Sequence, residues 1–307
     1  MTFSIVARDE ATGRLGVATA THAYGVGPVA NFARAGVGAI ATQSFVEISY
    51  GPKGLDLLEL GIAPDKALAG LLSADPDREI RQVAFVDSAG ATAHHTGSRC
   101  VPSRGSVVEG TAIAVGNMLD NDRVLPAMSD AFGSAEGDFA ERLIAALEAG
   151  ERAGGDVRGR MSASLRVVAA EPAAHPWEGT LYDLRVDVDP DPLKALRTSL
   201  RMSEAYTVFF ESVFAPGLVT GMEPVVGDAL EDALAGLRRT QGVLGQDLEP
   251  TVWQGVLLLR AGHAERGCEL LARAVAARPQ FSRFIDGLAQ IGTISMTSDQ
   301  ILRTAGR

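Results

Sequence analysis

Few residues in this chain combine a reactive type with a telling position, and most of them stand where an apolar run ends. His22 closes the run Leu15-Gly16-Val17-Ala18-Thr19-Ala20-Thr21, just ahead of Gly25 and Gly27. Histidine changes charge near neutrality, so one placed there can polarise a bound group; it is otherwise an ordinary loop histidine. Gly116-Asn117 ends another apolar run. A backbone N–H or the Asn amide at such a strand end can donate to a developing oxyanion, or the Asn caps the next turn. Asp156 follows Gly154-Gly155 and precedes Arg158, Arg160 and Ser162, which reads on its own as an Asp–Arg cluster in a turn. His94 and His95 are neighbours in a strand and point to opposite faces, with no Cys or carboxylate at ligand spacing, so zinc is not expected. Cys100 has no neighbour that would lower its pKa, and Cys100 and Cys268 lie too far apart in sequence to suggest a disulfide framework.

These residues need a scaffold, and the apolar periodicity supplies one. Thr2 to Ala7 is β-prone, Asp9 to Gly13 is turn-rich, and Leu15 to Thr21 returns as a hairpin partner. Val37 to Thr42 is a further strand; these early strands carry small apolar residues on both faces, the pattern of strands buried on both sides. Two helices follow, one opening at Tyr50 to Gly54 and one with Pro64 in its first turn. Strands resume at Arg81 to Val86, Ala91 to Thr96 and Thr111 to Val115. Helical spacing returns between Val124 and Ala149, and Ala163 to Ala169 is strand-like again. Runs of strands separated by paired helices predict antiparallel sheets between helical layers rather than a parallel α/β fold. No glycine-rich phosphate loop stands between a strand and a helix, which removes most of the case for nucleotide chemistry. After the strand Leu181 to Val188, the stretch Asp189-Pro190-Asp191-Pro192 marks a domain boundary, dividing 1–190 from a helical 191–307. Within the latter, Thr251 to Pro279 has the layout of one tetratricopeptide-type helix pair, or of part of a small helical bundle.

A hydrophobic content of 46% with 21% charged residues suits a chain that buries a real core. The net charge of −10 argues against nucleic acid, which needs clustered Lys and Arg, and against an anionic membrane surface. No apolar run approaches the roughly 20 residues of a membrane span, and the first residues do not resemble a signal peptide. A reducing cytoplasm is the expected location.

Residues 2 to about 195 resemble a bacterial family of unknown function, number 1028 in the domain-of-unknown-function series. The likeness rests on MTFSIVARD, GVATATHAYGVGPVANFARAGVGAIATQS, SYGPKGLDLL, RQVAFVD, VGNML, GGDVRGRMSASLRVV and LYDLRVDVDPDP. The remainder resembles a helical extension that some members carry, labelled a peptidoglycan-binding region. The resemblance implies the αββα sandwich of N-terminal-nucleophile hydrolases, the fold of proteasome subunits. The expected fold is therefore α/β (α+β), a four-layer sandwich of antiparallel sheets with an all-α C-terminal domain.

The same resemblance implies a set of site residues. An enzyme of this kind uses Ser, Thr or Cys as the first residue of the mature chain, and its free α-amine, titrating near ~8 when unperturbed, is the base. Thr2 qualifies if Met1 is removed, which its small side chain favours; otherwise it simply opens a strand. Arg34 stands near where proteasome-like enzymes place a Lys. Arginine supplies a positive field but cannot shuttle a proton, and a solvated surface Arg is the alternative. Asp156, followed by Ser162, corresponds to the acidic group that orients the nucleophile. The expected catalytic set is Thr2, His22, Asn117 and Asp156, with Arg34, Gln43 and Arg160 toward the substrate and no cofactor or metal. A small amide or peptide-like bond is the expected substrate. The rival expectation is a non-catalytic sandwich whose helical tail recruits a protein partner; homodimerisation through the helical layers is a further one.

Overall fold

The structure, a computed structural model, describes residues 2–175, 177–214 and 226–306. Met1 lies outside them. In chain order the first part comprises β1 (Thr2–Arg8), β2 (Leu15–Thr21), α1 (Gly27–Ala30), β3 (Asn31–Arg34), β4 (Gly38–Ser44), α2 (Tyr50–Glu59), α3 (Pro64–Ala74), β5 (Arg81–Asp87) and β6 (Thr92–Thr96). Then come β7 (Gly105–Glu109), β8 (Ala112–Asn117), α4 (Val124–Ser134), α5 (Phe139–Arg152), β9 (Ser162–Val168), β10 (Thr180–Val186) and α6 (Pro192–Val213). The order expected from the periodicity, strands then paired helices twice over, is observed.

Two antiparallel sheets result: six strands in the order β10-β9-β2-β1-β8-β7 and four in the order β3-β4-β5-β6. Alternation along each strand sorts the side chains into layers. Phe3, Ile5, Ala18 and Leu165 point outward from the larger sheet and pack against Met128, Leu143, Ile144 and Leu147 of α4 and α5. Ile40, Val83 and Phe85 point outward from the smaller sheet onto Tyr50, Leu55, Leu58 and Leu68 of α2 and α3. Val6, Val17, Ile113 and Val115 meet Ala39, Ala41, Ala84 and Val86 between the sheets. The layers therefore run helix, sheet, sheet, helix, the four-layer αββα sandwich.

Glycine sets how closely two of these layers approach. A Cβ on Gly16 of β2 would lie 2.6 Å from Leu143 and 2.8 Å from the Phe139 ring; one on Gly54 of α2 would lie 2.5 Å from Phe85. Backbone rather than side chain meets the facing layer at both points.

The chain divides into two compact units, 1–200 and 201–307. The division falls after Leu200 rather than at the Pro-rich 189–192 stretch, because Leu193, Leu196 and Leu200 belong to the first core. Arg197 also clasps Glu148 of α5 through two hydrogen bonds, at 2.7 and 3.0 Å. The second unit contains the rest of α6 with α7 (Asp228–Leu244), α8 (Glu249–Arg260), α9 (Ala264–Ala277), α10 (Phe281–Gln290) and α11 (Ser298–Ala305). Helices α8 and α9 cross at Gly255 and Gly267, where a Cβ would meet the opposite carbonyl at about 3 Å. Trp253 of the same core packs edge-on against the exposed Phe284. No described helix is long and apolar enough to cross a membrane.

One ion pair fastens the α2–α3 pair to the start of β5. Asp75 accepts from Arg81 Nε at 2.9 Å, from the Tyr50 hydroxyl at 3.1 Å and from the Asp77 backbone N–H at 2.8 Å. Burial opposes the charge on Asp75, but these donors outweigh it and hold the carboxyl below its ordinary range. A depressed folded pKa stabilises above the unfolded value and is lost as pH falls through the folded one. Asp75→Asn should cost about 2 kcal/mol near neutrality, the scale of charge-assisted bonds. It should also flatten the acid side of the stability–pH curve, measured by urea unfolding from neutral pH downward.

Candidate active site

The register of the larger sheet places four hydroxyl- or amide-bearing residues in one row at its end. Thr2 pairs with Thr21 on one side and Asn117 on the other, and Thr21 pairs in turn with Ser162. All four are buried, and the Thr2 and Thr21 hydroxyls lie 3.1 Å apart. Two residues further along, Ser4, Thr19 and Ser164 form a second polar row on the same face.

The smaller sheet answers with amides. Gln43 of β4 and Gln82 of β5 are cross-strand partners, and both are buried. Gln82 Nε2 donates toward the Gly116 and Gly105 carbonyls, at 2.9 and 3.1 Å, and toward Thr96 Oγ1 at 2.9 Å. Those acceptors fix which way the amide faces. Gln82 Oε1 then accepts from Gln43 Nε2 at 2.7 Å and from Asn117 Nδ2 at 3.0 Å. Gln43 Nε2 also reaches the Thr2 carbonyl at 3.1 Å, and its Oε1 accepts from Ser4 Oγ at 2.5 Å. With Asn117 Nδ2 turned to Gln82, its Oδ1 is left buried with no hydrogen-bond partner.

From Gln43 the contacts continue away from Thr2. Ser4 and Thr19 hydroxyls are 2.8 Å apart, and Thr19 donates to Asn31 Oδ1 at 2.5 Å. Asn31 Nδ2 donates to Ser164 Oγ at 2.7 Å. Between Gln43 and Asn31, two hydroxyl protons serve three oxygen–oxygen contacts, so at any instant one contact lacks a proton.

Asp156 stands beside the row. Its side chain is 1% exposed and accepts from the His22 backbone N–H at 2.9 Å, the Arg158 N–H at 2.8 Å and Arg158 Nη2 at 3.2 Å. It thereby ties the end of β2 to the turn entering β9, holding Thr21 and Ser162 in register. The half-buried His22 ring has Nδ1 3.2 Å from the Arg160 carbonyl. The Arg160 guanidinium is drawn to Glu151 at 2.5 Å. Phe3, Thr21, Asp156 and Arg160 line a cavity of about 10 Å³, room for one water.

The structure thus gathers Thr2, Asn117 and Gln43 into one network and sets Asp156, His22 and Arg160 at its flank. Arg34 is not brought there. It pairs with Gly38 at the opposite end of the β3–β4 hairpin, five residues and roughly 16 Å of strand from Gln43. Asp56 and Glu59 of α2 hold its guanidinium at 2.8 and 2.6 Å. Residue type and spacing alone do not single out Ser4, Thr19, Thr21, Asn31, Gln82 and Ser164. The pattern that marks them is a polar residue at alternate positions in strands otherwise apolar on both faces. His94 and His95 diverge, to Ser106 Oγ at 3.1 Å and the Arg78 carbonyl at 2.9 Å. Among the described residues no three His, Cys, Asp or Glu side chains gather as a metal site.

Gln82 serves more partners than any other member, and losing it strands several buried groups at about 1–3 kcal/mol each. Gln82→Leu should lower stability by about 3 kcal/mol or more in urea unfolding. Asn117→Leu removes one donor and an acceptor already unpaired, and should cost less than half as much.

A family model described as a family of unknown function, DUF1028, matches residues 2–196. The crystal structure of protein SPO2555 from Silicibacter pomeroyi, of the same family, is 33% identical; the match covers 76% of this chain and 89% of that one, with a TM-score of 0.59. Anbu, the ancestral β-subunit from Yersinia bercovieri, aligns over 68% of this chain and 96% of its own at 10% identity, with a TM-score of 0.32. No curated protein matches. The match over residues 2–196, together with the SPO2555 likeness, makes this chain a member of the DUF1028 family.

Proposed function

We propose that the first unit is an amide hydrolase of the N-terminal-nucleophile type, acting on a small amide or peptide-like bond in the cytoplasm. The observation that carries the reading is the position of Thr2 at the head of β1, in register between Thr21 and Asn117 and anchored through its carbonyl by Gln43. Removal of Met1 would free the Thr2 amine beside its own hydroxyl. Thr2 Oγ1 then attacks the substrate carbonyl while the amine takes the hydroxyl proton, and the carbonyl π pair moves onto oxygen. The amine returns that proton to the leaving nitrogen as the C–N bond breaks, and water hydrolyses the acyl-threonine by the reverse sequence. Asn117 Nδ2 gives one hydrogen to Gln82 and keeps a second for the oxyanion. Asn117 Oδ1, without a protein partner, is an acceptor for an amine N–H. Asp156 is a positioning residue, acting through the end of β2.

A second reading keeps the sandwich as a binding scaffold with no chemistry. It is favoured by Arg34, the expected cation, being held by Asp56 and Glu59 at the far end of β3.

Intact mass of the protein from its own host, before and after a β-lactone probe, separates the two. The hydrolase reading expects loss of Met1, one adduct mapping to Thr2, adduct formation retained by Thr2→Ser, and none in Thr2→Ala. Retained Met1 with no adduct leaves the scaffold reading.

A further inference from the structure

The outer edge of β3 faces a groove whose walls have the chemistry to hold a peptide. β3 ends the smaller sheet, while the larger sheet, whose β9 packs against β3, continues to β10. A cavity of about 560 Å³ is lined by four consecutive residues, Phe32, Ala33, Arg34 and Ala35. Successive side chains of a strand point to opposite faces, so a space touching all four meets the strand along its edge. A second cavity, of about 200 Å³, shares Phe32 and Arg166 with the first and extends the groove to Asn31.

The edge has backbone groups to offer. Arg34 turns its carbonyl inward, accepting from Val37 N at 3.1 Å across the hairpin. By the alternation of an antiparallel ladder, the Ala33 N–H and C=O point outward. The Asn31 N–H is already taken by the Gly27 carbonyl. The groove thus presents one donor and acceptor pair on Ala33, the unit needed to add a short strand.

The ion pairs along the groove are close except at one place. Asp56 and Glu59 hold Arg34, and Arg185 takes both carboxylate oxygens of Asp183, at 3.0 and 2.9 Å. That leaves Arg166 a 3.6 Å contact with Asp183, and its buried Nε has no partner. Arg166 lines both cavities. A guanidinium with spare donors beside an open strand edge fits a carboxylate at the end of an extended backbone.

We infer that this groove binds the C-terminal end of a peptide, added as a strand to β3 through Ala33 with its free carboxylate on Arg166. The site involves none of the residues assigned to chemistry at Thr2.

The test uses the full chain, isotope-labelled, with a position-scanned tetrapeptide library in free-acid and C-terminally amidated forms. Saturable shifts of the Ala33 amide and the Arg166 Nε–H are expected, with amidation weakening binding tenfold or more. Arg166→Gln should reduce the free acid to the level of the amide, and Thr2→Ala should bind as the parent does. Equal binding of acid and amide, saturable shifts only elsewhere, or none with any library member would overturn the inference. Loss of binding in Thr2→Ala would also overturn it, by moving the peptide to Thr2.

Discussion

The interior of the sandwich depends on one buried carboxamide. Gln82 bridges the two sheets, donating to the backbone of β7 and β8 and accepting from Gln43 and Asn117. Elsewhere between the sheets apolar side chains such as Val17 and Ile113 meet Ala39, Ala84 and Val86, which fixes distance but not register. Here each buried polar atom needs a partner at the right place, and Gln82 supplies those partners to strands from both sheets. The position of Thr2 follows, since its carbonyl hangs on Gln43 and Gln43 hangs on Gln82.

The seam of Thr2, Ser4, Thr19, Asn31, Gln43, Gln82 and Asn117 contains no charged residue, and charge is used around it. Asp156 ties the end of β2 to the turn before β9, and Asp75 with Arg81 fastens the α2–α3 pair to β5. Arg34 and Arg197 pin helices to the same unit. The outcome is a neutral polar seam inside a frame of ion pairs. A charge buried in that seam without a counter-ion would be costly, whereas amides and hydroxyls satisfy one another.

Much of this is legible in the chain itself. The largely apolar runs of β1, β2 and β8, with small or apolar residues on both faces, announce strands covered on both sides, and the paired helices announce the outer layers. Asp156 and Asn117 stand out because glycines precede them at element ends. What linear order conceals is register. Arg34 looks well placed by its distance along the chain from Thr2, yet the hairpin carries it to the far end of its sheet. Gln82 sits in a run that reads as plain strand, and its partners lie 35 and 39 residues away. Only the packing of one sheet on the other brings those amides together. The boundary between the two units is hidden for a related reason: prolines mark where a helix starts, whereas Leu193, Leu196 and Leu200 decide which core its first turns join.

The line from Gln43 through Ser4 and Thr19 to Asn31 has three contacts and two protons. Its hydroxyls can therefore be arranged in more than one way, and the arrangements differ in the direction of the dipole along the line. Rotating two O–H bonds switches between them without moving a heavy atom. An uncharged core usually responds weakly to a new electric field. This one contains a short polarisable wire that ends beside Thr2, so a charge appearing there would be met by reorientation already available in the folded chain.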